Sequence, residues 1–170
     1  MNVIVMAGGR GSRISNRKKM LLKIKNKTLI ERSLDIIHNL KMNVYICISN
    51  NTDFLLKVLH DYSIINGSGD YITDLKASLD TVGLPAIIMP ADIVYSGNII
   101  EEFIISASKI HDGIINLKIN GQLSGISIFY EKPLNKIIKF KDISIFSESF
   151  FNINYPEDYN NAVNYFTLKP

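Results

Sequence analysis

VIVMAGGRGSRI, Val3–Ile14, is an apolar, β-branched run that breaks into glycines and then carries two arginines three residues apart, Arg10 and Arg13. The run reads as a strand buried on both faces, and the glycines free the backbone for a turn at its carboxyl end. The chain then alternates. TLIERSLDIIHNL starts with Thr28 and Glu31 at capping-box spacing and places Leu29, Ile30, Leu34 and Ile37 in an apolar stripe, the pattern of a helix. NVYICIS (43–49) is a second strand, with Thr52 or Asp53 positioned to cap a helix over FLLKVLHDY (54–62). SIIN (63–66) is a short third strand ending at the turn GSGD (67–70), and YITDLKASLDTV (71–82) puts Ile72, Leu75 and Leu79 on one helical face. PAIIM (85–89) is again a continuous apolar strand, bounded by Pro85 and Pro90.

Continuous apolar strands separated by helices predict a mainly parallel sheet covered on both faces, a doubly wound α/β fold. The second half differs, because DGIINLKI (112–119), LSGISIFY (123–130) and DISIFS (142–147) are strand patterns with fewer helices between them. Some antiparallel pairing is expected there, with a closing helix from about Pro156. At 170 residues, 46% hydrophobic and 21% charged, the chain suits one domain over 1–170 with a real core. No apolar stretch approaches the ~20 residues that span a bilayer, so no membrane insertion is expected. The start of the sequence lacks signal-peptide features, which points to a cytoplasmic protein. Cys47 is the one cysteine and sits in a strand, where a small buried hydrophobe is the expected reading. His38, His60 and His111 fall in no motif.

The net charge of +3 is too mild, and too little patterned with aromatics, to argue for nucleic acid. Charge is instead dense locally: Arg10, Arg13, Arg17, Lys18, Lys19, Lys23, Lys25 and Lys27 follow one another with no acidic residue between them. That suits a compact polyphosphate. Three phosphate-binding turns compete for the glycines. A Walker loop needs a second glycine five positions after the first, and counting from Gly8 gives Arg13. A dinucleotide fingerprint counted from Gly9 meets Ile14 at its third glycine, and Ser49, Asn50 and Asn51 stand where a ribose-binding acid belongs. The remaining candidate is a long loop, Ala7–Lys19, in which Gly8, Gly9 and Gly11 open the backbone, Ser12 lies between them and Arg13, and Arg13 and Lys19 neutralise phosphate.

MAGGRGSR followed by KKMLLKI resembles the signature of the nucleotidyltransferases that move a nucleoside monophosphate from a nucleoside triphosphate to an acceptor. This group includes the molybdenum-cofactor guanylyltransferases and the sugar-nucleotide pyrophosphorylases. Met20 stands where a proline usually follows the lysine. PADI, with Asp92 after the AIIM strand, resembles the group's metal-binding aspartate segment, with Val94 in place of a proline. SNNT (49–52) and NINYPEDY (152–159) also fall in the group's order. NGSGDYITDL (66–75) resembles the corresponding turn of the archaeal GTP:adenosylcobinamide-phosphate guanylyltransferases, with Asp70 as an extra residue.

The resemblance implies a single Rossmann-like nucleotide-binding domain, GTP and a corrinoid phosphate (adenosylcobinamide phosphate) as substrates, and Mg²⁺ as cofactor. It implies Asp92 as metal ligand, Arg13 and Lys19 as the catalytic cations, and a nucleotide site of Ala7, Gly8, Gly9, Gly11, Ser12, Arg13, Lys19, Asn51, Gly67, Gly69, Tyr71, Asp74 and Asp92. Asp74 or Asp70 can accept from a guanine edge or ribose, or Asp74 can serve as a first-turn helix carboxylate. Asn152, Asn154 and Asp158 are candidates for a second metal contact, though Asp158 is better read as part of a helix start. The alternatives are a molybdenum-cofactor guanylyltransferase, another NTP:phosphate nucleotidyltransferase, and a non-catalytic nucleotide-binding module; homo-oligomerisation is left open.

Overall fold

The computed structural model describes residues 1–9, 18–133 and 138–168. Chain order begins with β1 (Asn2–Met6), the short hairpin β2 (Lys23–Ile24) and β3 (Lys27–Thr28), and helix α1 (Leu29–Asn39). Then come β4 (Asn43–Ile48), β5 (Ser63–Asn66), α2 (Tyr71–Val82), β6 (Ala86–Pro90), β7 (Ile93–Val94) and α3 (Ile99–Ala107). β8 (Ile114–Ile119), β9 (Gln122–Phe129), β10 (Phe140–Ile145), β11 (Phe151–Asn152) and α4 (Pro156–Leu168) complete it.

Seven strands form the central sheet in the order β10-β8-β9-β6-β1-β4-β5. β1 pairs in parallel with β4 and β6, β4 with β5, and β8 with β10, whereas β9 is antiparallel to both its neighbours. The expected mixture of a mainly parallel sheet with antiparallel pairing in the second half is therefore what the chain adopts. The turn between β8 and β9 explains the reversal. Asn120 and Gly121 both have positive φ, 52° and 83°, the paired left-handed residues of a two-residue hairpin whose twist matches its strands.

Alternate side chains of β1 divide between two cores. Val3 and Val5 pack with Ile30, Leu34 and Ile37 of α1 and with Ile99, Ile100 and Phe103 of α3 on one face. Ile4 packs with Leu75 and Leu79 of α2 on the other. Helices thus cover both faces, which is why β1 and β6 read as unbroken apolar runs. A third cluster seats α4 through Ala162 and Phe166 against Ile24, Val94 and Ile153.

α1 starts as its capping box requires: the Thr28 hydroxyl accepts from the Glu31 N–H at 3.3 Å, and the Glu31 carboxylate accepts from the Thr28 N–H at 2.7 Å. Two local expectations fail. The segment after β4 is only a short 3-10 turn, Asp53–Lys57, because the Thr52 hydroxyl, expected as a helix cap, instead accepts from the Ser49 N–H at 3.0 Å and donates to the Ser49 carbonyl at 3.2 Å. Ile72 does not share the buried face with Leu75 and Leu79: it is 56% exposed, and Asp74 and Ser78 are buried on that side instead. Cys47 is fully buried, and burial pushes its thiol up. Among the described residues no helix is long and apolar enough to cross a membrane.

Candidate active site

Because β1, β4, β5 and β6 are mutually parallel, the loops after all four leave the same edge of the sheet. The loops after β1, β5 and β6 meet around a cavity of about 400 Å³, and the loop after β4 lies outside its lining. Its wall includes Ala7, Gly8 and Gly9 after β1, Lys19, Gly69, Tyr71 and Asp74 after β5, and Asp92 after β6.

The loop after β1 is fastened to the loop after β4. The Ala7 N–H donates to the Cys47 carbonyl at 2.8 Å, and the Ser49 hydroxyl donates to the Gly8 carbonyl at 2.7 Å. The loop after β5 is organised by one buried carboxylate. Asp74, 4% exposed, accepts from the Ser68 N–H at 2.6 Å, the Ser68 hydroxyl at 2.8 Å and the Gly69 N–H at 3.0 Å. Gly67 is required by this arrangement, since an added Cβ would lie 2.5 Å from an Asp74 oxygen. Asp70 is spent on capping α2, accepting from the Thr73 N–H at 2.9 Å.

Lys19 reaches across the cavity from the first loop. Its ammonium pairs with the Asp92 carboxylate and donates to the Ile153 carbonyl at 2.9 Å. The Ile153 N–H in turn donates to the Asp92 carbonyl at 3.0 Å, so both charged residues are tied to one point of the carboxyl-terminal segment. Both side chains remain partly open, at 12% and 19% exposure, so each can still meet a ligand. Asp158 is tied up at the start of α4, accepting from the Asn154 and Tyr155 N–H groups at 2.9 and 2.7 Å.

Ten of the sequence-predicted site residues are described, and eight of them line the cavity: Ala7, Gly8, Gly9, Lys19, Gly69, Tyr71, Asp74 and Asp92. Asn51 and Gly67 do not line it. Gly67 lies behind Asp74, and the Asn51 side chain lies beside Gly69. Gly11, Ser12 and Arg13 lie outside the described residues. Met6, Pro90 and Gly125 line the cavity without having been singled out by sequence, and Met20, noted only for standing where a proline is usual, lines it as well. Gly125 carried a readable signal, since a glycine inside a strand marks a close approach, and here it faces Pro90 on the neighbouring β6. The methionines and Pro90 carried none, being ordinary strand and core residues by type.

Residues 3–137 match the MobA-like NTP transferase domain, which is most of the chain. The chain belongs to this family. Within it, the chain is 28% identical over 103 residues to the adenosylcobinamide-phosphate guanylyltransferase of Methanocaldococcus jannaschii, a match covering 55% of this chain and 53% of that protein. The match therefore spans about half the length of that relative. The fold is shared with the crystal structure of Rv0371c from Mycobacterium tuberculosis H37Rv, with a TM-score of 0.76, 12% identity and coverage of 96% of each chain. HddC from Yersinia pseudotuberculosis superposes with a TM-score of 0.75 at 15% identity, covering 97% of this chain and 99% of the other. Rv0371c has also been crystallised with manganese, in a structure with a TM-score of 0.73, 12% identity and coverage of 96% of this chain and 97% of that one. As a MobA-like NTP transferase domain, the chain is a nucleotidyltransferase.

Whether Asp92 suits a divalent cation can be judged from the donors around it. Among the described residues no group of three or more His, Cys, Asp or Glu side chains could hold a metal. A single carboxylate facing an open cavity fits a hard cation that keeps several waters and takes its remaining ligands from substrate phosphates. It does not fit a closed structural site, which needs its full ligand set from the protein.

Proposed function

We propose that this nucleotidyltransferase transfers GMP from GTP to adenosylcobinamide phosphate, releasing pyrophosphate, in cobamide biosynthesis. The reading is carried by one observation: the glycine turn after β5, whose sequence resembles the corrinoid enzymes, faces the same cavity as the Lys19–Asp92 pair. The similarity to the Methanocaldococcus jannaschii enzyme supports it.

In this reaction an oxygen of the acceptor phosphate attacks the α-phosphorus of GTP in line. A new P–O bond forms as the bond from the α-phosphorus to the bridging oxygen breaks, and that oxygen leaves with pyrophosphate. A phosphate monoester has a second pKa near ~6, so the acceptor is already largely dianionic at neutral pH and no general base is needed. This agrees with a cavity among whose described lining residues no histidine occurs. What remains for the protein is positioning and neutralisation of charge.

Asp92 is assigned to hold Mg²⁺, which supplies charge neutralisation at the phosphate oxygens. Lys19 is assigned to the α- or β-phosphate, and Arg13, from its place in the sequence, to the departing pyrophosphate. The backbone of Gly8 and Gly9 is assigned to the phosphates, and the Gly69–Asp74 turn to the nucleoside. The test is to incubate the protein with GTP, Mg²⁺ and adenosylcobinamide phosphate and follow pyrophosphate. Release is expected with this acceptor, and release with molybdopterin in its place would overturn the substrate assignment in favour of the molybdenum-cofactor reaction.

A further inference from the structure

The loop after β4 contributes no side chain to the cavity's lining, yet two of the turns that form that lining rest on it. Ser49 is the point of contact. Its side chain is 4% exposed and faces Gly8 of the loop after β1 and Gly69 of the loop after β5. A Cβ added at Gly8 would stand 3.4 Å from the Ser49 Cβ, and one added at Gly69 would stand 3.7 Å from both the Ser49 Cβ and its hydroxyl oxygen. The hydroxyl commits its one proton to the Gly8 carbonyl at 2.7 Å, while its oxygen accepts from the Asn51 N–H at 3.3 Å. Thr52 fixes the serine backbone, its hydroxyl bonding both the N–H and the carbonyl of Ser49.

The β5 turn is seated on the same support. The Gly67 N–H donates to the Ile48 carbonyl at 2.6 Å, one residue before Ser49. Asp74 holds Ser68 and Gly69 by their N–H groups. The Asn51 amide nitrogen completes the contact, 3.4 Å from where a Gly69 Cβ would stand. Ser49 itself has no proton left to give a ligand and lies outside the lining, so any effect it has on a ligand passes through the two turns. That route matters in a reaction carried by positioning, where a displacement on the order of 1 Å can cost roughly 10²-fold in rate.

We propose that Ser49 is a positioning residue for the nucleoside triphosphate: it fixes the spacing between the Gly8 turn and the Gly69 turn, so that a ligand reaching both is held more tightly than its separate parts predict. The inference rests on the assignment of the Gly8 turn to phosphate and of the Gly69 turn to the nucleoside. Removing the hydroxyl frees the Gly8 carbonyl and takes away the support the turns share. Each turn keeps its own geometry, because the Ala7 N–H remains bonded to the Cys47 carbonyl and Asp74 still holds Ser68 and Gly69. A ligand that spans the turns loses the benefit of their spacing, and a ligand confined to one turn does not.

Three titrations on the full chain, with Mg²⁺ and without acceptor, test it. GTP, guanosine and tripolyphosphate are each bound to the wild type and to Ser49→Ala, the two fragments being followed by competition against GTP. GTP binding is expected to weaken about tenfold in the variant, the scale of one lost buried hydrogen bond, while guanosine and tripolyphosphate each change less than about twofold. A serine that merely stabilised the fold would weaken all three alike or none, and either result overturns the inference, as does failure of either fragment to compete in the wild type. Ser49→Cys keeps the size of the side chain with a weaker donor, and is expected to bind GTP with an affinity between those of the wild type and Ser49→Ala. Should Ser49→Ala not fold, the same three titrations on Ser49→Cys decide. GTP that fails to bind the wild type overturns the nucleotide assignment and the coupling with it, whereas GTP bound equally by wild type and variant overturns the coupling alone.

Discussion

The two halves of the central sheet solve the problem of placing a site differently. β6, β1, β4 and β5 run parallel, so every crossover must return across the sheet and every loop after a strand leaves the same edge. β9 runs against β6 and β8, and β8 reaches β9 through a hairpin of two residues, Asn120 and Gly121. Parallel winding concentrates charged and glycine-rich segments that are distant in sequence into one cavity. The mixed half instead builds a wall from strand ends, where the β8–β9 turn, β11 and the start of α4 line a second cavity of about 530 Å³. One half carries the glycine turns and the Lys19–Asp92 pair proposed to meet phosphate, and the other offers amides and aromatics.

The largest expected effect breaks this comparison at its centre. Asp92→Asn keeps the shape of the side chain but removes the charge that faces Lys19. Loss of one group that stabilises developing charge costs roughly 10²–10³ in kcat, and the metal-holding role proposed for Asp92 puts this variant at the upper end. Pyrophosphate release should fall by about that factor while GTP binding, followed by thermal shift, stays measurable. Full activity in this variant would remove Asp92 from the chemistry.

A smaller effect separates folding from chemistry in the parallel half. Asp74→Ala removes the buried carboxylate that accepts from the Ser68 and Gly69 N–H groups of a half-exposed turn. Hydrogen bonds to a charged group contribute ~1.5–3 kcal/mol each, so losing two should cost the variant about 3 kcal/mol overall. For a chain of this size that corresponds to a fall in Tm on the order of 8 °C, readable by calorimetry. An unchanged Tm would mean that the carboxylate is not what holds the turn.

The hairpin of the mixed half is expected to be less sensitive. Gly121→Ala forces a Cβ onto a residue with φ of +83°, in a turn where nothing lies within 4 Å of the added atom. The cost is therefore the left-handed backbone conformation alone, about 1 kcal/mol. Chemical denaturation should show that loss with no change in the KM for GTP, because the turn lies away from the first cavity's lining.

The same contrast explains what could be read in the sequence. β1, α1 and β6 were legible because burial on both faces, or on one stripe, writes itself into consecutive side chains. Lys19 and Asp92 were legible as separate signals, from glycine spacing and from a strand end, and the fold brings them into contact. Their shared anchor at Ile153 was not legible, because a backbone carbonyl and N–H leave no trace in residue type. Asp74 illustrates a different limit. A carboxylate four residues after the helix-capping Asp70 looks like a favourable charge in a first turn, and only its burial shows that it bonds backward to Ser68 and Gly69. The 3-10 turn at Asp53–Lys57 escaped because Thr52 had two uses, capping a helix or closing on Ser49, and local sequence does not rank them. The NG pair at Asn120 and Gly121 was a readable hairpin signal that accounts for the reversal of β9.

The smallest expected effect concerns the start of α1, which lies between the two halves in contact with β7. The Thr28 backbone N–H, then its hydroxyl, hold the Glu31 carboxyl below its ordinary value of 4.5. A carboxyl whose pKa is depressed by folding contributes stability above its unfolded value, and the contribution fades as pH falls through the folded value. Glu31 is exposed, so solvent screening keeps the effect to a fraction of a kcal/mol. The stability difference between wild type and Glu31→Gln should therefore be constant above about pH 5 and shrink below 4.5, measured by urea denaturation at pH 7 and at successive acid values. Thr28→Ala removes both the cap and the hydroxyl partner. It should cost about 1 kcal/mol at pH 7 and weaken the acid dependence, while the surviving Thr28 backbone bond keeps part of it. Acid dependence unaltered by Glu31→Gln would assign it to other carboxylates of the chain.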